Sequence, residues 1–119
     1  RIHSFIFKFH QVLISVPTRD FSSISERVYH EVFGIVSRCS MHVNISQNSA
    51  LTLSFCVDHH RNLPALLEEL MKRYTVRYNE GLTLITVRHY GPESKESVLQ
   101  GREVILEQQN RTVLQVVVR

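Results

Sequence analysis

Between residues 11 and 81, segments with the apolar spacing of a β-strand alternate with segments that have the spacing of a helix. The order of these segments constrains the fold of this 119-residue chain more than any other feature. Four short segments there are extended and apolar, and the clearest, LTLSFCVD, places an apolar residue at every second position, as a β-strand does. Two longer segments repeat apolar residues every third or fourth position, as an amphipathic helix does. The predicted strands are residues 11–16, 41–46, 51–58 and 75–79, and the predicted helices are residues 23–39 and 62–74.

The start of each predicted helix carries its own signal. Ser23 and Glu26 form an S-x-x-E capping box, and Asn62 is a suitable N-cap residue with Pro64 tolerated in the first turn. The order is therefore strand, helix, strand, strand, helix, strand. Packing both helices on one face of a four-stranded antiparallel sheet buries both apolar stripes, which predicts a ferredoxin-like α+β domain.

The rest of the chain predicts a second small sheet. We expect a turn at Glu80-Gly81, a short helix over residues 92–101, and a hairpin around Asn110-Arg111. The remaining predicted strands are residues 5–10, 82–90, 102–109 and 112–118. The predicted domains are therefore residues 11–81, and a discontinuous one made of residues 1–10 and 82–119.

Composition excludes several broad classes of function. The net charge is +3 and the sequence pI about 9.1, but no run of Lys and Arg exceeds two residues, so we do not expect nucleic-acid binding. The predicted central strands also lack the aromatic pairs of RNA-recognition motifs, since they offer only Phe55. No apolar run approaches the roughly 20 residues that span a bilayer, so we expect no membrane association and a cytoplasmic location. The chain opens at Arg1 without an initiator methionine, from which we expect a piece of a longer protein.

The sequence gives no pattern of an enzyme active site or a metal site. Cys39 and Cys56 lack metal or redox spacing and fit small core residues. Of the seven histidines, His59 and His60 are adjacent, and the others have no H-x-x-x-H or C-x-x-C partner. The four glycines do not cluster into a phosphate loop. We therefore expect neither catalysis nor a cofactor in this chain.

A cluster of amides and hydroxyls stands out in residues 42–50, HVNISQNSA. Asn44, Gln47, Asn48 and Ser49 supply neutral donors and acceptors, and the first N–H groups of the first predicted helix favour a carboxylate. This mixture suits a free amino acid. The alternative is a polar edge strand that ends in an Asn/Ser turn and binds nothing.

Three stretches together resemble the regulatory region of aspartate kinases. Residues 31–58, EVFGIVSRCSMHVNISQNSALTLSFCVD, are similar to the first ACT domain of that family. Residues 76–89, VRYNEGLTLITVRH, resemble the join between the first and second ACT domains. Residues 102–118, REVILEQQNRTVLQVVV, resemble the shortened second ACT domain of some bacterial members. The resemblance implies an ACT domain at residues 11–81 inserted into a second, shortened one.

The resemblance also implies a function. Aspartate kinases use ATP and Mg²⁺ to phosphorylate the β-carboxylate of aspartate, in a catalytic domain that would precede this chain. Their ACT domains form dimers that bind a feedback inhibitor, usually lysine or threonine, at the interface between two chains. Carried over position by position, the effector residues would be Asp20, Phe21, Val28, Tyr29, Val43, Asn44, Gln47, Asn48 and Ser49.

Two departures from the family pattern keep alternatives open. Lysine-sensitive members often have an acidic residue where this chain has Asn44, and the helices of the second domain are reduced here. The expected effector is still lysine, as the resemblance implies. The alternatives are the threonine-sensing region of a bifunctional aspartate kinase and homoserine dehydrogenase, or a dimerisation module without a ligand.

Overall fold

The computed structural model describes residues 4–17, 26–49 and 51–119. Six strands and three helices follow one another in these ranges, which confirms the mixed α+β class. The elements are β1 (Ser4–Pro17), α1 (Glu26–Arg38), β2 (Ile45–Asn48), β3 (Thr52–Asp58), α2 (Leu63–Met71), β4 (Arg77–Arg88), α3 (Pro92–Leu99), β5 (Val104–Gln109) and β6 (Val113–Val118).

The chain divides into two compact units. One is continuous, Val12–Glu80, and is called the inserted unit below. The other combines the described residues up to Gln11 with Gly81–Arg119, and is called the split unit. Residues 4–11 of β1 and 81–88 of β4 therefore belong to the split unit, while the remaining residues of both strands belong to the inserted unit.

The inserted unit has the predicted ferredoxin-like topology. Its strands lie in the order β2-β3-β1-β4, with α1 and α2 packed on one face. The helix-covered side of β3 consists of Leu53, Phe55 and Val57, each with no exposed surface. Their alternation with polar neighbours is what predicted this strand, and the two helical stripes close the core over it. The helical core residues are Val32, Ile35, Val36, Leu63, Leu66, Leu67 and Leu70.

Two of the predicted strand boundaries were wrong. Segments 5–10 and 11–16 form one strand, β1, and the left-handed backbone of His10 (φ 54°) lies where they join. The predicted turn at Glu80-Gly81 is likewise absent, because β4 runs through Gly81 with φ 72°. A single left-handed residue inside a strand produces a local irregularity rather than a reversal, and glycine adopts it without a steric penalty. Sequence alone does not distinguish a turn from a local irregularity within one continuous strand.

The second predicted strand was also misplaced. Residues 41–46 were expected as the strand, whereas β2 covers Ile45–Asn48 and pairs antiparallel with β3. Backbone pairing therefore extends into amide residues that the sequence assigned to a turn. The helical spacing of Leu63, Leu66, Leu67, Leu70, Met71 and Tyr74 predicts one buried face for α2, but Met71 is 48% exposed. The predicted capping residue Ser23 lies outside the described residues.

The split unit has its own strand order, β1-β4-β6-β5. β6 pairs antiparallel with β4 on one side and with β5 on the other, and the predicted hairpin at Asn110 is confirmed. The Asn110 side-chain Oδ1 accepts hydrogen bonds from the backbone N–H groups of Thr112 and Val113 at 3.0 and 2.9 Å, which fixes the turn. One buried cluster of this unit contains Ile85, Val87, Val98, Leu114, Val116 and Val118.

A polar network fastens α1 to the segment after α2 in the inserted unit. Arg73 Nη1 donates to Glu31 Oε2 at 2.7 Å, and the Tyr74 hydroxyl donates to Glu31 Oε1. The hydrogen bond from Tyr74, opposed by burial and reinforced by the charge of Arg73, lowers the pKa of Glu31. Burial, together with the same hydrogen bond, raises the pKa of Tyr74 to about 12. Glu31 is therefore held ionised and Tyr74 protonated.

This network predicts a loss of stability in acid. Because the pKa of Glu31 is lower in the folded chain than in the unfolded chain, its stabilisation is present above the ordinary carboxyl range and disappears as pH falls through the folded pKa. Glu31→Gln should therefore be less stable than the wild type at pH 7, and in urea titrations the difference should shrink at a pH below the ordinary carboxyl pKa of 4.5. The exposed Glu96→Gln serves as the matched control. If the wild type exceeds Glu31→Gln in free energy of unfolding by the same amount at both pH values, the stabilisation does not come from ionised Glu31.

Candidate functional site

The predicted effector residues of β2 separate into two groups, one at each end of the strand. Asn44 comes just before the strand, where its backbone N–H donates to the carbonyl of Cys56 at 2.9 Å. Asn48 is the last residue of the strand and lies opposite Leu53. Asn44 and Asn48 are four positions apart, which places their Cα atoms about 13 Å from each other at the usual rise of a strand. One free amino acid is too short to reach both ends.

At the first end, the Asn44 side chain contacts a carboxylate that the sequence analysis missed. Asn44 Nδ2 donates a hydrogen bond of 2.9 Å to Oδ1 of Asp58, the last residue of β3. Both side chains are at the accessible end of the strand pair, and Asp58 is exposed. An amide and a carboxylate side by side offer both a neutral acceptor and a negative charge. Antiparallel pairing of β2 and β3 is the signal that could have predicted this neighbour.

At the other end, Gln47, Asn48 and Ser49 are exposed on the edge strand of the inserted unit. The Ser49 backbone N–H donates to the carbonyl of Thr52 at 2.9 Å, and its hydroxyl accepts from the N–H of Leu51 at 3.4 Å. Gln47 lies opposite Ser54, whereas Asn48 lies opposite Leu53 and so projects from the helix-covered face. Their side chains therefore present polar atoms on both faces of this end of the strand.

The remaining predicted positions play different structural parts. Val28 and Val43 are half-buried and pack against the core of the inserted unit. Tyr29 also packs there, with its ring 5.5 Å from that of Phe33. It lines a shallow surface pocket of about 460 Å³ on α1, whose other lining residues include Gly34. Asp20 and Phe21 lie outside the described residues.

Cysteine reactivity and metal binding are two chemistries that the described residues can be checked for. Cys56 is buried on β3, and desolvation raises the pKa of its thiol to about 12, so it is protonated and inert as a nucleophile at neutral pH. Within the described ranges, no group of three His, Cys, Asp or Glu side chains could hold a metal ion. In the same ranges, no helix has the length and apolar character needed to cross a membrane.

Comparison with solved structures identifies the fold. No protein-family model and no curated protein matches the sequence. A protein described as a C-terminal regulatory domain of aspartate kinase from Porphyromonas gingivalis W83 superposes with a TM-score of 0.83 at 20% identity, over 99% of this chain and 86% of that one. This chain has the fold of an aspartate kinase regulatory domain. The ACT-type arrangement inferred from the sequence is thereby confirmed.

Larger aspartate kinases contain the same regulatory fold. Escherichia coli aspartokinase III, in complex with lysine and aspartate, matches with a TM-score of 0.76 at 20% identity over 96% of this chain. The Clostridium acetobutylicum aspartate kinase matches with a TM-score of 0.80 at 12% identity over 98% of this chain. Only 28% and 30% of those two chains are covered, so this regulatory fold spans under a third of their length.

Proposed function

We propose that this chain is the amino-acid-sensing regulatory region of an aspartate kinase. The observation that carries the proposal is the polar surface at the two ends of β2, on a fold that matches aspartate kinase regulatory domains. The parent enzyme would transfer a phosphoryl group from ATP to aspartate, with ATP and Mg²⁺ held by a catalytic domain outside this chain. The task of this region is to bind an effector and bias that domain. A coupling free energy of about 1–3 kcal/mol is typical of such regulation.

Lysine is the effector that this surface suits better. The carboxylate of Asp58, hydrogen-bonded to Asn44, supplies the negative charge that an ε-ammonium needs and that the Asn44 amide lacks. The E. coli enzyme that shares this fold was solved with lysine bound. Threonine remains the alternative effector, because its hydroxyl would need only the neutral amides of Asn44 and Asn48.

In a homodimer, the two polar ends of β2 could come together even though they are far apart within one copy. Because β2 is an edge strand of the inserted unit, a second copy related by a two-fold axis could place its Asn48 end beside the Asn44 end of the first. We therefore propose that one effector is held by residues of two copies.

A thermal-shift screen against the twenty amino acids tests the proposal, followed by calorimetry on each amino acid that raises the melting temperature. At 100 times its dissociation constant a bound ligand adds about 2.7 kcal/mol of stability. Asn48→Ala and Ser49→Ala should each weaken effector binding by about fivefold, since each removes polar contacts worth about 1 kcal/mol. Asn79→Ala, an exposed amide on β4, is the matched control and should bind normally.

The outcomes separate the candidate functions. A shift with lysine alone supports lysine feedback, and a shift with threonine alone supports a threonine-sensing region. A dimer in analytical ultracentrifugation that responds to no amino acid would replace the sensor by a dimerisation module. Full affinity in both Asn48→Ala and Ser49→Ala would show that the effector binds elsewhere, and a monomer at every concentration would rule out the shared site.

A further inference from the structure

A groove of about 610 Å³ lies between α2 and the first residues of β4, within the inserted unit. Its described lining includes none of the predicted effector positions. The volume falls within the range of small-molecule sites, about 300–1,000 Å³. The groove therefore has the size of a ligand site and is separate from the surface on β2.

The floor and walls of the groove are apolar. Leu63 and Leu67, one helical turn apart on α2, are 3% and 9% exposed and form the floor. Met71 on α2 and Tyr78 on β4 flank it, and they are 48% and 44% exposed. Two large apolar side chains thus remain in water on either side of a concave surface. An occupant between them would bury both.

The position of Tyr78 follows from the strand. Side chains alternate along β4, so Val76 before the strand, Tyr78 and Glu80 project to one face. Val76 packs against the core beneath the helices, which identifies this as the helix-covered face. Because β4 runs back along α2 after a short connection, Tyr78 lies toward the C-terminal end of the helix and Glu80 toward its start.

The charge at the rim of the groove is negative. Glu68 and Glu80 both line it and carry carboxylates. His59 and Lys72 are the basic residues of the described lining, and Lys72 Nζ donates to Glu69 Oε1 at 2.8 Å. Glu69 is not part of that lining, and this exposed ion pair offsets part of the charge of Lys72 from outside the groove. With histidine counted as neutral, the two carboxylates of the lining outnumber its one lysine, which favours a cationic ligand.

We propose that this groove binds an amine with a flat apolar body. The body would lie over Leu67 between Met71 and Tyr78, and the ammonium would lie near the carboxylates of Glu68 and Glu80. The face of the Tyr78 ring adds a cation–π contribution when the ammonium is close. A free amino acid is disfavoured, because its carboxylate would face two carboxylates of the rim. The proposal does not depend on the effector site on β2.

Three indoles of nearly equal shape test the proposal by titration in ¹H–¹⁵N correlation spectra. Tryptamine carries an ammonium, 3-methylindole is neutral, and indole-3-acetate carries a carboxylate. We expect tryptamine to shift the amide resonances of Leu67, Met71 and Tyr78 in a saturable way, 3-methylindole to bind more weakly, and indole-3-acetate to bind least. Equal binding of all three, shifts confined to other residues, or no shift with tryptamine would each overturn the proposal.

Two sets of variants separate charge from shape. Glu68→Gln combined with Glu80→Gln should weaken tryptamine binding by about tenfold, since two exposed ion pairs are lost. The same double variant should leave 3-methylindole binding unchanged, and Glu96→Gln should leave both unchanged. If the resonances of Met71 and Tyr78 change on dilution without ligand, the groove is a contact between copies, and the amine site is refuted. A wild-type tryptamine affinity in the double variant would also refute it.

Discussion

Phe55→Ala should lower the free energy of unfolding by about 3–5 kcal/mol, the usual cost of truncating a buried phenylalanine. Phe55 has no exposed surface, and its ring contacts that of Phe33 edge to face with centroids 5.6 Å apart. The variant removes the transfer free energy of the ring and leaves a cavity between β3 and α1 that rigid neighbours cannot close. Urea unfolding followed by circular dichroism measures the change.

Phe9→Ala is the matched control for this prediction. It makes the same substitution on another strand, but Phe9 is 62% exposed and its main aromatic contact is a stacked pair with Phe7, with centroids 5.9 Å apart. We expect a loss of about 1 kcal/mol or less. If Phe55→Ala costs no more than Phe9→Ala, Phe55 does not occupy the centre of the core.

Leu114→Ala should lower the free energy of unfolding by about 2–5 kcal/mol through the split unit. Leu114 is fully buried near the start of β6, opposite Val87 of β4 and Gln109 of β5. Apart from Val98 of α3, the other members of its buried cluster lie on β4 and β6, and paired strands have little freedom to close a cavity. The loss should therefore lie toward the upper end of the range.

Hydrogen exchange locates the effect of Leu114→Ala. Amides of β5 and β6 should exchange faster in the variant, because they report on the opening of the split unit. Val104→Ala is the control, since Val104 is 38% exposed at the start of β5 and should cost well under 1 kcal/mol. Unchanged protection of β6 in Leu114→Ala would show that Leu114 is not part of a cooperative core.

The fold was largely predictable because its core follows two simple periods. The alternation of Leu53, Phe55 and Val57, and the helical spacing of Val32 and Ile35, each specify one buried face, and the structure buries each of them. Strand boundaries were harder. Gly81 is compatible with a turn or with an irregular strand, and only its pairing environment decides between them.

The candidate site was less predictable, because it depends on contacts between strands. The polar residues of β2 were recognisable as a group, but the partner of Asn44 is Asp58, fourteen residues later, and the register of β2 on β3 brings them together. The groove beside α2 had no sequence signal, since Met71 fits the apolar stripe of its helix and was predicted to be buried. Surface shape of this kind arises from the packing of two elements and has no periodicity of its own.

The division of the split unit between the two ends of the chain has a consequence for synthesis on the ribosome. Its first strand residues, 4–11, are translated before about 70 residues of the inserted unit, and β4, β5 and β6 follow only afterwards. Closing a loop of that length costs little more entropy than closing one half as long, so the delay matters more than the entropy. Until β4 has been translated, Phe5, Phe7 and Phe9 lie on a segment that has no strand to pair with in the split unit. The nascent chain is therefore most exposed to aggregation, and to chaperone binding, between the folding of the inserted unit and the completion of the split one.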